Sequence, residues 1–312
     1  MPPPSHGPDS PIYIVANAAS GSGDAARAHE QIAQVLEAQG RRHEFLLIDD
    51  PERVPAVARE AAERAARGGG IVVAAGGDGT INAVAHATLA TGRPFGIVPQ
   101  GTFNYTSRAH SIPADPAEAT QTLLDGQLQP IQVGTLNERI FLVNASLGLY
   151  PELMEDREAL KRQYGRRRSI ALWAGLMSLL RNRRQLSLEI AVDGQQEHIR
   201  TPTLFVGNNP LQLEQVGLPE AEDVQHRRLA AVIVRPVSTT QLVWLAFQGA
   251  LGRLGEDDRV RNFAFERMTV VPARRTATAV KVAIDGEIYW IRPPLTFALA
   301  PRPLWLFVPR PT

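Results

Sequence analysis

Gly76-Gly77-Asp78-Gly79-Thr80 sets three glycines and a carboxylate within five residues. Ile71 to Ala75 ahead of it reads as a short buried strand, bounded by the Gly68-Gly69-Gly70 turn, and Ile81 to Leu89 behind it reads as a helix. Glycines between a strand and a helix let backbone N–H groups approach an anion closely, and the helix N-terminus adds favourable partial charge. A carboxylate in such a cradle repels phosphate unless a cation lies between, so the pattern suggests a Mg2+–nucleotide site. The plain alternative is a tight glycine turn in which Asp78 caps the helix.

A second carboxylate pattern stands near the C-terminus, Asp285-Gly286-Glu287. Asp-Gly between two strand candidates is a hairpin turn that needs positive φ. Glu287 follows two residues on, which along an extended strand puts both carboxylates on one side. A pair aimed at one point can bind Mg2+ through water and leave one member as a base. Asp193-Gly194 has the same turn chemistry but is followed by Gln195, and is read as a turn alone.

The first third of the chain must position the glycine cluster, and it alternates strand with helix. Ile12 to Val15, Glu44 to Ile48, Ile71 to Ala75 and Phe95 to Val98 are strand candidates; Asp24 to Gln39, Val54 to Arg67 and Ala117 to Leu124 are helices. That rhythm predicts a parallel sheet with helices on its faces, and it places loops at Asn17, Gly76 and Gly101 along the carboxyl edge, where such sheets bind ligands. From about Ile131 short β-rich runs dominate: 140–143, 186–192, 203–206, 229–234, 280–284, 288–291 and 295–299. They predict an antiparallel sheet or sandwich, interrupted by helices near 169–182 and 239–251.

With 312 residues and 44% hydrophobic content the chain can build two cores. A formal net charge of +1 offers no field for nucleic acid, and the absence of cysteine excludes disulfides and a thiolate nucleophile. Met1 to Ser10 reads as neither signal peptide nor anchor, and no apolar run reaches the ~18 residues that span a bilayer. His86 and His110 lack a zinc-binding pattern.

Four segments together resemble the diacylglycerol kinase catalytic family, which includes sphingosine kinases and related bacterial lipid kinases. Asn17-Ala18-Ala19-Ser20-Gly21 is similar to its Asn-Pro-x-Ser-Gly loop, and Gly76 to Asn82 to its Gly-Gly-Asp-Gly-Thr-x-Asn element. Pro99 to Asn104 is similar to Pro-x-Gly-Thr-x-Asn, with Arg108 beyond, and Asp285-Gly286-Glu287 to Asp-Gly-Glu. Asn144 to Gly148 and Leu172 to Arg184 are smaller echoes. The resemblance implies an NAD-kinase-like α/β domain at 11–131 and a β-rich lipid-substrate domain at 132–299. The tail at 300–312 would pack back on the first domain, with the nucleotide in the interdomain cleft.

It also implies ATP and Mg2+ as cofactors and a lipid hydroxyl, most simply that of diacylglycerol, as acceptor. Asn17, Ser20, Gly21, Gly76, Gly77, Gly79, Thr80, Asn82, Gly101, Thr102 and Asn104 would cradle the nucleotide, although Asn82 and Asn104 read equally as helix caps. Asp78 and Glu287 would hold Mg2+ through water, and Asp285 would be the general base, with Asp78 the alternative. The implied setting is the cytoplasm, with the enzyme visiting its lipid at the inner membrane face in phospholipid biosynthesis; a homodimer stays open, and nucleic acid is no partner.

The chain departs from the family pattern at Ala18, at Ala83 and above all at Tyr105, where the family commonly has an Asp in its water–Mg2+ network. The acidic motif of a structural metal site is absent from 219–229, so that site is not carried over. Basic residues at 161–168 and 181–184 flank an apolar segment with Trp173, which reads as an interfacial helix or as a solvated charged loop. Three rival readings are an NAD kinase, a regulatory protein with decayed catalysis, and a Rossmann oxidoreductase built on Gly21-Ser22-Gly23. In the last, glycine comes too late after the strand for the tight turn.

Overall fold

The computed structural model describes residues 2–18, 23–101, 103–149, 151, 185–273 and 279–311. Ser20, Gly21, Thr102, the expected helix near 169–182 and its flanking basic residues lie outside the described residues. The chain divides into two compact units, Met1–Val133 with Ala300–Thr312, and Gly134–Leu299.

The first unit runs β1 (Ile12–Asn17), α1 (Gly23–Ala38), β2 (His43–Ile48), α2 (Val54–Gly68), β3 (Ile71–Gly76), α3 (Asp78–Thr91), β4 (Phe95–Pro99), α4 (Tyr105–Ala109), α5 (Pro116–Asp125) and β5 (Gln127–Ile131). Every residue of β3 and β4 is buried, as the apolar runs require of strands covered on both faces. In α2 the buried residues Val57, Ala58, Ala61, Ala62 and Ala65 recur at helical spacing, and their small size lets the helix lie close to the sheet. Gly69, at φ 65°, ends that helix and turns the chain into β3.

The sheet order is β2-β1-β3-β4-β18-β5, where β18 (Leu304–Val308) comes from the far end of the chain. β2, β1, β3 and β4 are parallel; β18 lies parallel to β4 and antiparallel to β5. Pro130 is tolerated because β5 is the sheet edge. Strand order reverses direction between β1 and β3, and the loops after β1, β3 and β4 emerge on the same carboxyl edge.

The second unit is antiparallel. One sheet has the order β10-β9-β14-β17-β6-β7 and the other β13-β12-β11-β8-β15-β16. Their ranges are β6 (Gly134–Leu136), β7 (Arg139–Phe141), β8 (Asn144–Gly148), β9 (Leu186–Val192), β10 (Gln195–Thr201), β11 (Thr203–Gly207), β12 (Leu229–Val234), β13 (Val260–Phe265), β14 (Arg267–Pro272), β15 (Val280–Ile284), β16 (Glu287–Ile291) and β17 (Leu295–Leu299). Both sheets feed one core, which includes Leu136, Phe141, Leu147, Ile190, Phe265, Phe297 and Val282. Helices Pro210–Gln215, Ala221–Gln225 and Thr239–Ala250 build a second core against β12, through Leu213, Val224, Leu242, Leu245 and Val232.

The expected strand at 140–143 is divided: β7 ends at Phe141 and β8 begins at Asn144. The N–H groups of Leu142, Val143 and Asn144 are taken by the Asp285 carboxylate, which withdraws them from strand pairing.

Candidate active site

The two glycine loops after β3 and β4 are joined directly. Gly76 pairs with Pro99, and the Gln100 N–H donates to the Gly76 carbonyl at 2.8 Å. A Cβ placed on Gly101 would lie 2.7 Å from Asn104 Oδ1 and 3.1 Å from the Gly77 Cα, so the approach of the loops requires glycine there. A Cβ on Gly76 would lie 2.8 Å from Cβ of the buried Thr80. Gly77 occupies the N-cap of α3 and has no side chain to accept the first-turn N–H groups, which leaves them for an anion or water.

Asn104 closes this arrangement. Its backbone is left-handed, φ 47°, and its side chain is engaged twice on Gly101: Oδ1 accepts from the Gly101 N–H at 3.0 Å, and Nδ2 donates to the Gly101 carbonyl at 2.9 Å. It makes no side-chain cap bond to α4, so the capping alternative does not hold for Asn104. Its own N–H donates to Asp78 Oδ2 at 3.2 Å. Asn82 lies in the second turn of α3, too far along to cap it; Gly79 lies in the first turn, and Asn17 is exposed at the end of β1.

Asp78 is the unusual group of this edge. Its Oδ1 is buried with no hydrogen-bond partner. Burial raises its pKa above the usual carboxylate value, against the amides of Asn104 and Tyr105, which favour the charged form. An ionised carboxylate with one unpaired buried oxygen, beside uncapped helix N–H groups, fits Mg2+ together with phosphate. Mg2+ usually takes one or two carboxylates, substrate phosphates and waters.

Tyr105 supports Asp78 through its peptide N–H, which most residue types would supply equally. Its ring lies parallel to that of Phe103, centroids 6.2 Å apart, with the Arg108 guanidinium 5.8 Å from its centroid.

In the second unit the two Asp-Gly turns have the same backbone and different surroundings. Asp193 (φ 48°) and Gly194 (φ 87°) join β9 to β10; Asp285 (φ 44°) and Gly286 (φ 91°) join β15 to β16. Asp193 is exposed. Asp285 instead folds back on the chain: Oδ2 accepts from the Leu142 N–H at 2.7 Å, and Oδ1 from those of Val143 and Asn144, both at 2.9 Å. Three donors suit an acceptor-only, ionised carboxylate.

The argument that Asp285 and Glu287 lie on one side of an extended strand is corrected here. Asp285 is in the left-handed turn, and Glu287 begins β16 opposite Ile284. Glu287 is exposed, and its Oε2 accepts the Tyr289 phenol at 2.5 Å. Arg139 sits 4.0 Å from the Tyr289 ring centroid. Burial first, then the hydrogen bond to Glu287, raise the Tyr289 pKa, which keeps the phenol a donor.

The chain's similarities agree with this geometry. Residues 11–136 match the family model described as the diacylglycerol kinase catalytic domain. Over those residues the chain is similar to that family. A diacylglycerol kinase of Bacillus subtilis is 36% identical over 139 residues, 43% of this chain and 45% of that protein. A diacylglycerol kinase of Staphylococcus aureus is 25% identical over 244 residues, 77% of this chain and 74% of that protein. The Bacillus subtilis match thus spans less than half of that protein. The fold matches a crystal structure described as a diacylglycerol kinase of Bacillus anthracis with TM-score 0.67 and 18% identity, covering 96% of this chain and 97% of that one. A second structure from that organism gives TM-score 0.72 and 20% identity over the same shares.

Sequence reasoning did not single out Tyr289, Gln100 or Ser107. Gln100 Nε2 and Ser107 Oγ are each buried without a partner on the segment that follows β4. In the second unit Asn144 Oδ1 and Ser146 Oγ are likewise unpaired, on one face of β8. Polar residues inside an otherwise apolar run were the available signal.

Proposed function

We propose that this chain is an ATP-dependent kinase that phosphorylates a lipid hydroxyl, diacylglycerol or a close relative, with Mg2+ as its metal. The observation that carries the reading is Asp78, with one buried unpaired oxygen at the N-terminus of α3 between two interlocked glycine loops. Those loops and the uncapped α3 N–H groups would bind the nucleotide phosphates, and Asn104 would hold the loops in register. Asp78 would hold Mg2+, which when bound neutralises phosphate charge.

The motif of the second unit offers two carboxylates for the acceptor, Asp285 and Glu287. Asp285 has both oxygens committed to backbone N–H groups, which favours a role in fixing the turn. Glu287, whose carboxylate is exposed, is the better base, so the base role passes from Asp285 to Glu287. The acceptor oxygen would bond to the γ-phosphorus as its bond to the β,γ-bridging oxygen breaks. ADP would leave with that oxygen, and the hydroxyl proton would pass to Glu287. The unpaired oxygens of Asn144 and Ser146 suit the polar head of such an acceptor.

Radiolabelled ATP, Mg2+, NAD and a micellar panel of diacylglycerol, sphingoid bases and glycolipids test the reading. Label should enter the organic phase. Label found only in NADP would replace this reading by an NAD kinase, and absence of turnover by a nucleotide-binding regulator.

A further inference from the structure

The helix Thr239–Ala250 is apolar on two sides. Leu242 and Leu245 are buried in the core against β12, whereas Trp244, Phe247 and Leu251 are 47%, 54% and 54% exposed. Positions 244, 247 and 251 follow at intervals of three and four, which places them on one side of the helix. The Trp244 and Phe247 rings are in contact, with centroids 5.8 Å apart. A helix that only covered a core would carry polar residues on this side.

The helix is built to keep that face in place. Ser238 and Gln241 form a reciprocal capping box at its start, and Gly252, at φ 70°, turns the chain at its end. From Pro236 to Gly252 no residue carries a formal charge, and exposed Arg235 and Arg253 stand at the two ends. Two exposed acids accompany these arginines, Glu256 close after Arg253 and Asp258 beside Arg235, whose N–H donates to the Arg259 carbonyl at 2.8 Å, while Asp257 is paired with Arg259 at 3.0 Å. Exposed aromatic and aliphatic side chains on an uncharged helix between arginines are the composition of an interfacial helix.

We propose that this face docks on an anionic phospholipid surface. Trp244, Phe247 and Leu251 enter the boundary between headgroups and acyl chains, and Arg235 and Arg253 meet the headgroup charge. Three half-exposed side chains offer roughly 300 Å², well below the ~800 Å² per partner that a stable protein interface buries, which favours a lipid boundary over a second copy of the chain. No helix among the described residues is long and apolar enough to cross a membrane. The proposal takes its purpose from the lipid-kinase reading, but binding is measured without catalysis.

The test is sedimentation of the full chain with phosphatidylcholine vesicles, with and without phosphatidylglycerol. The triple variant Trp244→Ser, Phe247→Ser, Leu251→Ser should reduce the bound fraction at least ~10-fold, as loss of three interfacial anchors implies. Arg235→Gln with Arg253→Gln should lose only the part that depends on phosphatidylglycerol. Turnover of a water-dispersed short-chain diacylglycerol should stay within about two-fold of wild type, since the face lies outside the phosphate machinery. Should the triple variant fail to fold, quenching of Trp244 by brominated lipid in a Trp173→Phe, Trp290→Phe background, where the other remaining tryptophan, Trp305, is buried, reads the same contact. Equal sedimentation of wild type and triple variant, or no quenching, overturns the proposal. So does a wild-type dimer that the triple variant converts to monomer with vesicle binding unchanged. Vesicle binding that depends on this face in a protein that phosphorylates no lipid supports the docking surface while the kinase reading fails.

Discussion

The backbone N–H of Asn104 donates to Asp78 Oδ2 at 3.2 Å, while Oδ1 of the same carboxylate is buried without a partner. One loop thus orients the acid of the other and leaves half of it unused. Because burial raises the Asp78 pKa, the stability linked to its proton is present below the ordinary carboxylate range and lost as pH rises through the raised value. At neutral pH the ionised group therefore costs stability until a cation binds. Asp78→Asn should melt at the same or a higher temperature than wild type without ligand, and should lose the extra stabilisation given by Mg2+ with a non-hydrolysable ATP analogue. Thermal melts with and without Mg2+–nucleotide decide it; an undiminished ligand shift in the variant removes Asp78 from the metal site.

Asn104 should be replaceable by neither alanine nor glycine, for different reasons. Either change strips the Gly101 N–H and carbonyl of their partners, at about 1–3 kcal/mol where such groups stay buried. Alanine adds roughly 1–2 kcal/mol for the left-handed backbone, which glycine adopts freely. Melting temperatures should fall in the order wild type, Asn104→Gly, Asn104→Ala, and nucleotide affinity should fall in both variants. Wild-type affinity in Asn104→Gly would show that the clamp does not shape the phosphate loops.

The carboxylates of the β15–β16 hairpin should separate by phenotype. Asp285→Asn sets an amide NH2 against at least one of the three backbone donors and should lower the stability of the protein by about 1–3 kcal/mol. Glu287→Gln should leave stability unchanged and lower kcat by ~10²-fold or more, as for a lost general base. Chemical denaturation with steady-state kinetics on both variants tests this. A stable, inactive Asp285→Asn beside an active Glu287→Gln would restore the roles that the motif suggests.

Tyr105→Asp adds a carboxylate at the residue after Asn104 without altering the peptide N–H that Asp78 uses. The expected result is an active wild type whose half-saturating Mg2+ is higher than that of the variant, since a further carboxylate adds a ligand or water anchor. Titration of kinase activity with Mg2+ in both proteins measures it. Equal values would place position 105 outside the metal network.

Burial lowers the His110 pKa from 6.5 to about 4. The stability it contributes is complete above the unfolded value and is lost as pH falls from 6.5 towards 4, where the unfolded chain binds the extra proton. Urea midpoints should therefore drop more steeply across that window in wild type than in His110→Gln. Parallel midpoints would show that His110 titrates as an exposed imidazole.

Local order was legible wherever it was written in local sequence. The buried run Ile71 to Ala75, the alanine face of α2 and the Asp285-Gly286 turn each follow from neighbours a few residues apart. The site depends on longer reach. Asp285 meets N–H groups more than a hundred residues away in the chain, and periodicity carries no record of such a contact. Asn104 offered two readings in sequence, ligand or cap, and turns its side chain to Gly101 instead. Its left-handed backbone is a common habit of asparagine, but only the meeting of two loops selects it at this position. Tyr289 reads as an ordinary half-buried strand residue until Glu287 and Arg139 are seen around it.

The insertion of β18 between β4 and β5 has a consequence for synthesis. On the ribosome, β4 and β5 emerge long before the strand that joins them, so the first sheet stays divided until the second unit has been made. The growing chain carries unsatisfied strand edges throughout the translation of the second unit, a state open to mispairing and to chaperones. Loss of the segment from Leu304 to Val308 would strand β5 and harm the sheet that carries the glycine loops from a part of the chain remote in sequence.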